Sequence, residues 1–97
     1  MRHFYRTQLP QGDVLRLADS FFPAMEMERA GHTARSRDFS GPLGTLQLSV
    51  KSEGGHYTFV EVATDQMGES RLDRNAKRFF VELHRADDPA HRVEAAY

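Results

Sequence analysis

The sequence predicts an α+β two-layer sandwich in the order β-α-β-β-β-β-α, with one antiparallel sheet and both helices on the same face. Three observations carry this. Apolar residues recur at helical spacing in only two segments, within 14–22 and 72–83. Between them the chain reads at period two, interrupted by glycine-containing turns. No internal repeat or long linker divides it, so residues 1–97 read as a single domain. Helices with one apolar stripe each must cover the same hydrophobic sheet face, which leaves the other face open.

The first element is "RHFYRT", where Phe4 alternates with Arg2 and Arg6 on one side and His3, Tyr5 and Thr7 lie on the other. After "LPQG", Asp13 is the expected N-cap of a helix carrying Val14, Leu17, Ala18, Phe21 and Phe22, with Pro23 as its stop. "PAMEMERAGHTARSRDF" alternates too regularly for a helix. With Ala30-Gly31 as a two-residue turn, Glu26 faces Arg35 as a cross-strand ion pair, and Met25, Met27 and Ala34 share the other side. Gly41, Pro42 and Gly44 break the chain before "TLQLSVK", whose Leu46, Leu48 and Val50 share one face and Gln47, Ser49 and Lys51 the other. The last element is a helix with Ser70 as N-cap, Asp73 three residues on, an apolar stripe of Leu72, Ala76, Phe79, Phe80 and Leu83, and a stop at Asp87-Asp88-Pro89.

Composition narrows the function classes. A chain of 97 residues buries roughly 60–65% of its unfolded surface and needs no metal or disulfide staple. The absence of cysteine excludes disulfides, thiol catalysis and thiolate zinc sites, and the cytoplasm is the expected compartment. No apolar run has the length of a signal peptide or a membrane span, so no membrane association is expected. With 13 basic and 14 acidic residues interspersed, net −1, bulk attraction to nucleic acid is not indicated.

Hairpin parity decides what the stretch "SEGGHYTFVEV" does. A loop of two or four residues puts Glu61 on the face of Leu46 and Leu48, and a carboxylate then lies in or beside the core. A loop of three residues closing with a glycine in the left-handed region brings Thr58, Val60 and Val62 to that face instead, and sends Tyr57, Phe59 and Glu61 to the open one. Burying an unpaired carboxylate costs several kcal/mol, more than one further buried ring returns, which favours the three-residue loop. Tyr57 and Phe59 are then exposed, with His3 and Tyr5 of the first strand as the candidates to stand beside them.

In order of elements the chain resembles one half of the TATA-binding-protein-like fold and a shortened helix-grip fold; a ferredoxin-like βαββαβ arrangement, with "HRVEAAY" as closing strand, is the alternative. "HYTFVEV" is similar to the aromatic strand of RNA-recognition motifs, where two rings separated by one residue stack bases, and "HFYRTQLP" resembles that family's first strand. The resemblance implies single-stranded RNA binding through Tyr57 and Phe59. The sequence departs from it at Gly55, His56 and Val62, where that family carries a basic residue, a glycine and an aromatic.

No catalytic or metal-ligating pattern stands out. The five histidines, His3, His32, His56, His84 and His91, lie at no ligand spacing. His56 and Glu61, five apart, fall on opposite faces of a strand. Neither "SGPLG" nor "EGG" has the spacing and lysine of a phosphate loop. Glu26 and Glu28 read as half of a solvated ion-pair face rather than as an acid/base couple. The expectation is a non-enzymatic, cofactor-free module that forms a homodimer through the open sheet face, using Tyr5, Arg35, Tyr57, Phe59 and Glu61. Mixed charge around rings is self-complementary about a two-fold axis. Other occupants of that face are nucleic acid or the tail "AHRVEAAY", and an apolar ligand between the last helix and the sheet is a further alternative.

Overall fold

A computed structural model describes residues 1–87. The elements are β1 (Arg2–Thr7), α1 (Gln11–Ala24), β2 (Glu28–Thr33), β3 (Ser36–Gly41), β4 (Gly44–Glu53), β5 (Tyr57–Thr64) and α2 (Arg71–Asp87). Four consecutive strands separate the two helices, so the order is β-α-β-β-β-β-α and not the ferredoxin-like alternative. The strands form one antiparallel sheet in the order β1-β5-β4-β3-β2.

Leucine and β-branched residues at alternate positions make one face of this sheet apolar, and both helices lie on it. Phe39, Leu46, Leu48, Val50, Val60 and Val62 of the sheet form one core with Val14, Leu15, Ala18 and Phe22 of α1 and Leu72, Ala76, Phe79 and Leu83 of α2. The space between helices and sheet is taken up by rings in contact: the Phe22 centroid lies 5.1 Å from Phe21, 5.0 Å from Phe39 and 5.1 Å from Phe79. Among the described residues the other face carries no helix.

The β4–β5 hairpin has a three-residue loop. Glu53 pairs with Tyr57, Lys51 with Phe59 and Ser49 with Glu61, while Leu48 pairs with Val62 and Val50 with Val60. Gly54 and Gly55 both have positive φ, which lets the chain reverse and fixes this register. Glu61 therefore stands outside the core, with Tyr57 and Phe59 on its face.

Local expectations are corrected in the β2–β3 hairpin and at both ends of α1. Ala30-Gly31 is not a turn: the register of β2 against β3 shifts between Arg29 and Gly31, a bulge, and the reversal falls at Ala34-Arg35. There the Thr33 hydroxyl accepts the Arg35 N–H at 3.1 Å and meets the Ser36 hydroxyl at 2.8 Å, so side-chain bonding builds the turn without glycine. Glu26 accordingly lies in the loop before β2 and does not face Arg35. Asp19 of α1 takes the ion pairs, 3.0 Å from Arg37 and 3.6 Å from Arg29. Of the residues grouped with this hairpin, Met27 is buried, Met25 precedes β2 and Ala34 is exposed in the turn. Asp13 is not an N-cap either: α1 starts at Gln11 behind Pro10, and Asp13 sits in its first turn paired with Arg16. Pro23 falls inside α1, which ends one residue later at Ala24. The expected stop beyond Asp87 and the tail lie outside the described residues.

The short turn after β3 depends on one glycine. Gly41 pairs with Gly44, and Gly44 has φ +134°. A Cβ there would crowd Asp65 Oδ1 and Gln66 Nε2. That carboxylate cannot simply swing away, because it accepts the Thr45 N–H at 3.0 Å and the Gln66 amide at 2.9 Å. Gly44→Ala is therefore expected to cost about 2 kcal/mol. The thermal midpoint, followed by circular dichroism, should fall by roughly 8–16 °C.

Candidate interface on the open sheet face

Parity across the sheet fixes the membership of the open face. Phe4 lies opposite Glu61 and Arg6 opposite Phe59, so β1 contributes Arg2, Phe4 and Arg6, and β5 contributes Tyr57, Phe59 and Glu61. From β4 come Gln47, Ser49, Lys51 and Glu53, from β3 Ser36, Asp38 and Ser40, and from β2 Glu28, which pairs with Ser40.

Phe59 is the centre of this surface. The Phe4 ring stacks on it with centroids 5.6 Å apart and planes inclined by 29°. The Arg6 guanidinium and the Lys51 ammonium each lie 5.1 Å from the Phe59 centroid, a cation on two sides of one ring. Arg6 is held there by Glu53, whose Oε1 accepts its Nε–H at 2.6 Å. These neighbours leave Phe59 half-buried, whereas Phe4 is 54% and Tyr57 47% exposed. A shallow depression of about 230 Å³ beside the ring is bordered by Ser49, Lys51 and Glu61. Charges of both signs thus stand beside the rings, Arg6 and Lys51 with Glu53 and Glu61, while Arg2 and Asp38 lie farther out on the same face.

Of the residues that the sequence singled out, Tyr57, Phe59 and Glu61 come together here. Tyr5 and Arg35 do not. Tyr5 and His3 point to the helix layer, because Thr7, two residues on, is buried there and parity carries all three to the same side. The Tyr5 ring stacks on Phe80 of α2 at 5.3 Å, and its hydroxyl lies 3.4 Å from His84 Nδ1. Burial first, then the negative charge of Asp87, pushes the Tyr5 phenol above its ordinary value. Arg35 is exposed in the β2–β3 turn, where its carbonyl accepts the Val50 N–H. Phe4 is the member that sequence reasoning missed. The signal was present: Arg2 and Arg6 flank it at period two, and a strand face with two arginines is a solvent face.

His3 belongs to a polar cluster beneath α2. Asp73, 1% exposed, accepts hydrogen bonds from His3 Nε2 at 2.8 Å, from Thr64 Oγ1 at 2.8 Å and from Ser70 Oγ at 2.7 Å. Its own N–H donates to Ser70 Oγ at 3.0 Å, so Ser70 caps α2 as the sequence indicates. In this arrangement the carboxylate bonds both the histidine and the serine, so the histidine is not aligned to take the serine proton, and the cluster is a support rather than a catalytic relay. Among the described residues no three histidine or acidic side chains converge on a point that would hold a metal, and no helix is long and apolar enough to cross a membrane. No protein-family model and no curated protein sequence matches the chain.

Proposed function

We propose that the protein is a non-enzymatic, cytoplasmic self-association module that pairs with a second copy through the open face of its sheet. The supporting observation is the exposed pair Phe4 and Tyr57 around Phe59, with acidic and basic side chains interspersed on the same face. Large rings left in water favour a partner that covers them. Mixed charge favours a partner with the same mixture, because across a two-fold axis Arg2, Arg6 and Lys51 of one copy can meet Glu53, Glu61 and the other carboxylates of its partner. A polyanion would gain from the three cations and lose to the carboxylates of Glu28, Asp38, Glu53 and Glu61.

Size sets the strength. Five strands about 4.8 Å apart and about 20 Å long present roughly 500 Å² per copy, so a face-to-face dimer buries on the order of 1,000 Å², at the low end for specific association. Micromolar dissociation is expected. Sedimentation velocity between about 1 and 200 μM should show a concentration-dependent monomer–dimer equilibrium. Phe4→Glu places like charges across the axis and should give a monomer throughout. Its melting temperature, extrapolated to the monomer, should stay within about 4 °C of the parent, as for an exposed position. A parent protein that remains monomeric at 200 μM overturns the reading. If that monomer retains single-stranded RNA, and Phe4→Ala with Tyr57→Ala releases it, base stacking on the same rings replaces self-association.

A further inference from the structure

The side of the molecule away from the open sheet face carries an uncompensated cluster of arginines. Arg71, Arg74 and Arg78 lie at i, i+3 and i+7 of α2, on one side of the helix, and with Asn75 they line a groove of about 390 Å³. All three arginines are exposed. The other cations along α2 have acidic partners: Lys77 pairs with Glu69 at 3.1 Å and Arg85 with Glu82 at 3.4 Å. Among the described residues none of the three makes an ion pair or a side-chain hydrogen bond.

Within the helix only Glu82, four residues beyond Arg78 and already paired with Arg85, offsets the charge of this cluster. Arg71 is the first residue of α2 and Arg74 lies in its first turn, where positive charge opposes the helix dipole. Arg74 and Arg78, four apart, repel each other. Two of the three charges oppose the dipole and two repel each other, and an anion bound between them would relieve both. The groove continues into a recess of about 400 Å³ that shares Arg71, Asn75 and Arg78 and is walled by Met25 after α1 and by Pro42 and Leu43 of the β3–β4 turn. Glu26 also borders this recess, the one carboxylate there among the described residues, so it would repel a second anionic group at the far end.

The geometry points to a binding site for a phosphorylated small molecule, with its phosphate or diphosphate held by Arg71, Arg74 and Arg78 and an apolar or aromatic body lying against Met25, Pro42 and Leu43. Guanidinium forks match phosphate oxygens two at a time, and the Asn75 amide can donate to a bridging or ester oxygen between them. A nucleoside diphosphate has this composition and size. The site is independent of self-association, since it lies on the helix layer and the Phe4–Phe59 surface lies on the other side of the sheet.

The test uses ADP and pyrophosphate as probes on the full chain, with sodium chloride at matched ionic strength as the reference. ADP at ten times its dissociation constant should raise the melting temperature by roughly 6–11 °C. Its dissociation constant by calorimetry should be at least tenfold lower than that of pyrophosphate. Arg74→Gln with Arg78→Gln should weaken ADP at least tenfold without lowering the melting temperature of the free protein, and Lys77→Gln should bind like the parent. Arg71→Gln, read by the same titration, gives a second variant should the double one not fold. No shift beyond the salt reference, a shift that survives the arginine variants, or ADP binding no tighter than pyrophosphate overturns the assignment. Single-stranded RNA bound more tightly than ADP through the same arginines overturns it in favour of a nucleic-acid backbone.

Discussion

Asp73→Ala is expected to destabilise the protein by about 3 kcal/mol, lowering its melting temperature by roughly 12–24 °C. The carboxylate is 1% exposed and ties α2 to two other parts of the chain, to β1 through His3 and to the end of β5 through Thr64. Removing it leaves His3, Thr64 and Ser70, all partly buried, without their shared acceptor. The same group makes stability depend on pH. Burial alone pushes its carboxyl up, but the hydrogen bonds from His3, Ser70 and Thr64 outweigh that and hold it at about 2, against an ordinary 3.8. At about 1.4 kcal/mol per tenfold, a carboxyl so depressed contributes about 2 kcal/mol. Because the folded value lies below the unfolded one, this contribution is complete above about pH 4 and is lost as pH falls through that value toward about 2. Urea denaturation between pH 2 and 6 should show the slope in the parent and a flatter one in Asp73→Asn. An equal slope in both would assign the acid sensitivity to other carboxylates.

The parts of this architecture that the sequence reveals are those governed by neighbours along the chain. Stripes of one apolar face identify α1 and α2, and the cost of burying Glu61 orients β5 correctly because a single strand has only two ways to face. The β2–β3 hairpin was misread for a physical reason. Ala-Gly is a good turn sequence in isolation, yet here Gly31 pairs with Asp38 and a bulge beside it absorbs the odd residue, while Thr33 supplies the true turn through its hydroxyl. Ser70 and Asp73 are legible as a cap, three residues apart. That His3 completes their network, 70 residues away, depends on β1 lying at the sheet edge beneath α2, which no local pattern specifies. The open face was half legible. Tyr57, Phe59 and Glu61 follow from one hairpin, but Phe4 requires the pairing of β1 with β5, a contact between the two ends of the sheet's chain order.

Phe22→Ala is expected to cost about 4 kcal/mol, near the upper end for a buried aromatic, because Phe22 is where three elements meet. Its ring is fully buried and touches Phe39 of β3 at 5.0 Å and Phe79 of α2 at 5.1 Å, with Phe21 edge-on at 5.1 Å. None of these neighbours can collapse inward easily, since Phe39 is fixed in the sheet register opposite Leu46 and Phe79 in the helix stripe. A cavity therefore persists, adding to the lost transfer energy. Phe22→Leu should return more than half of the loss, as a substitution that refills most of the volume. Urea titrations should show the midpoint falling in Phe22→Ala with the slope unchanged, the sign of lost stability without altered compactness. The cluster lies on the helix side of the sheet and Phe4 on the other. Phe22→Ala should thus unfold more readily yet self-associate like the parent in its folded fraction, and Phe4→Glu should do the reverse. A Phe22→Ala protein that loses both would mean that the helix layer sets the shape of the open face, and that the two faces of the sheet are mechanically one.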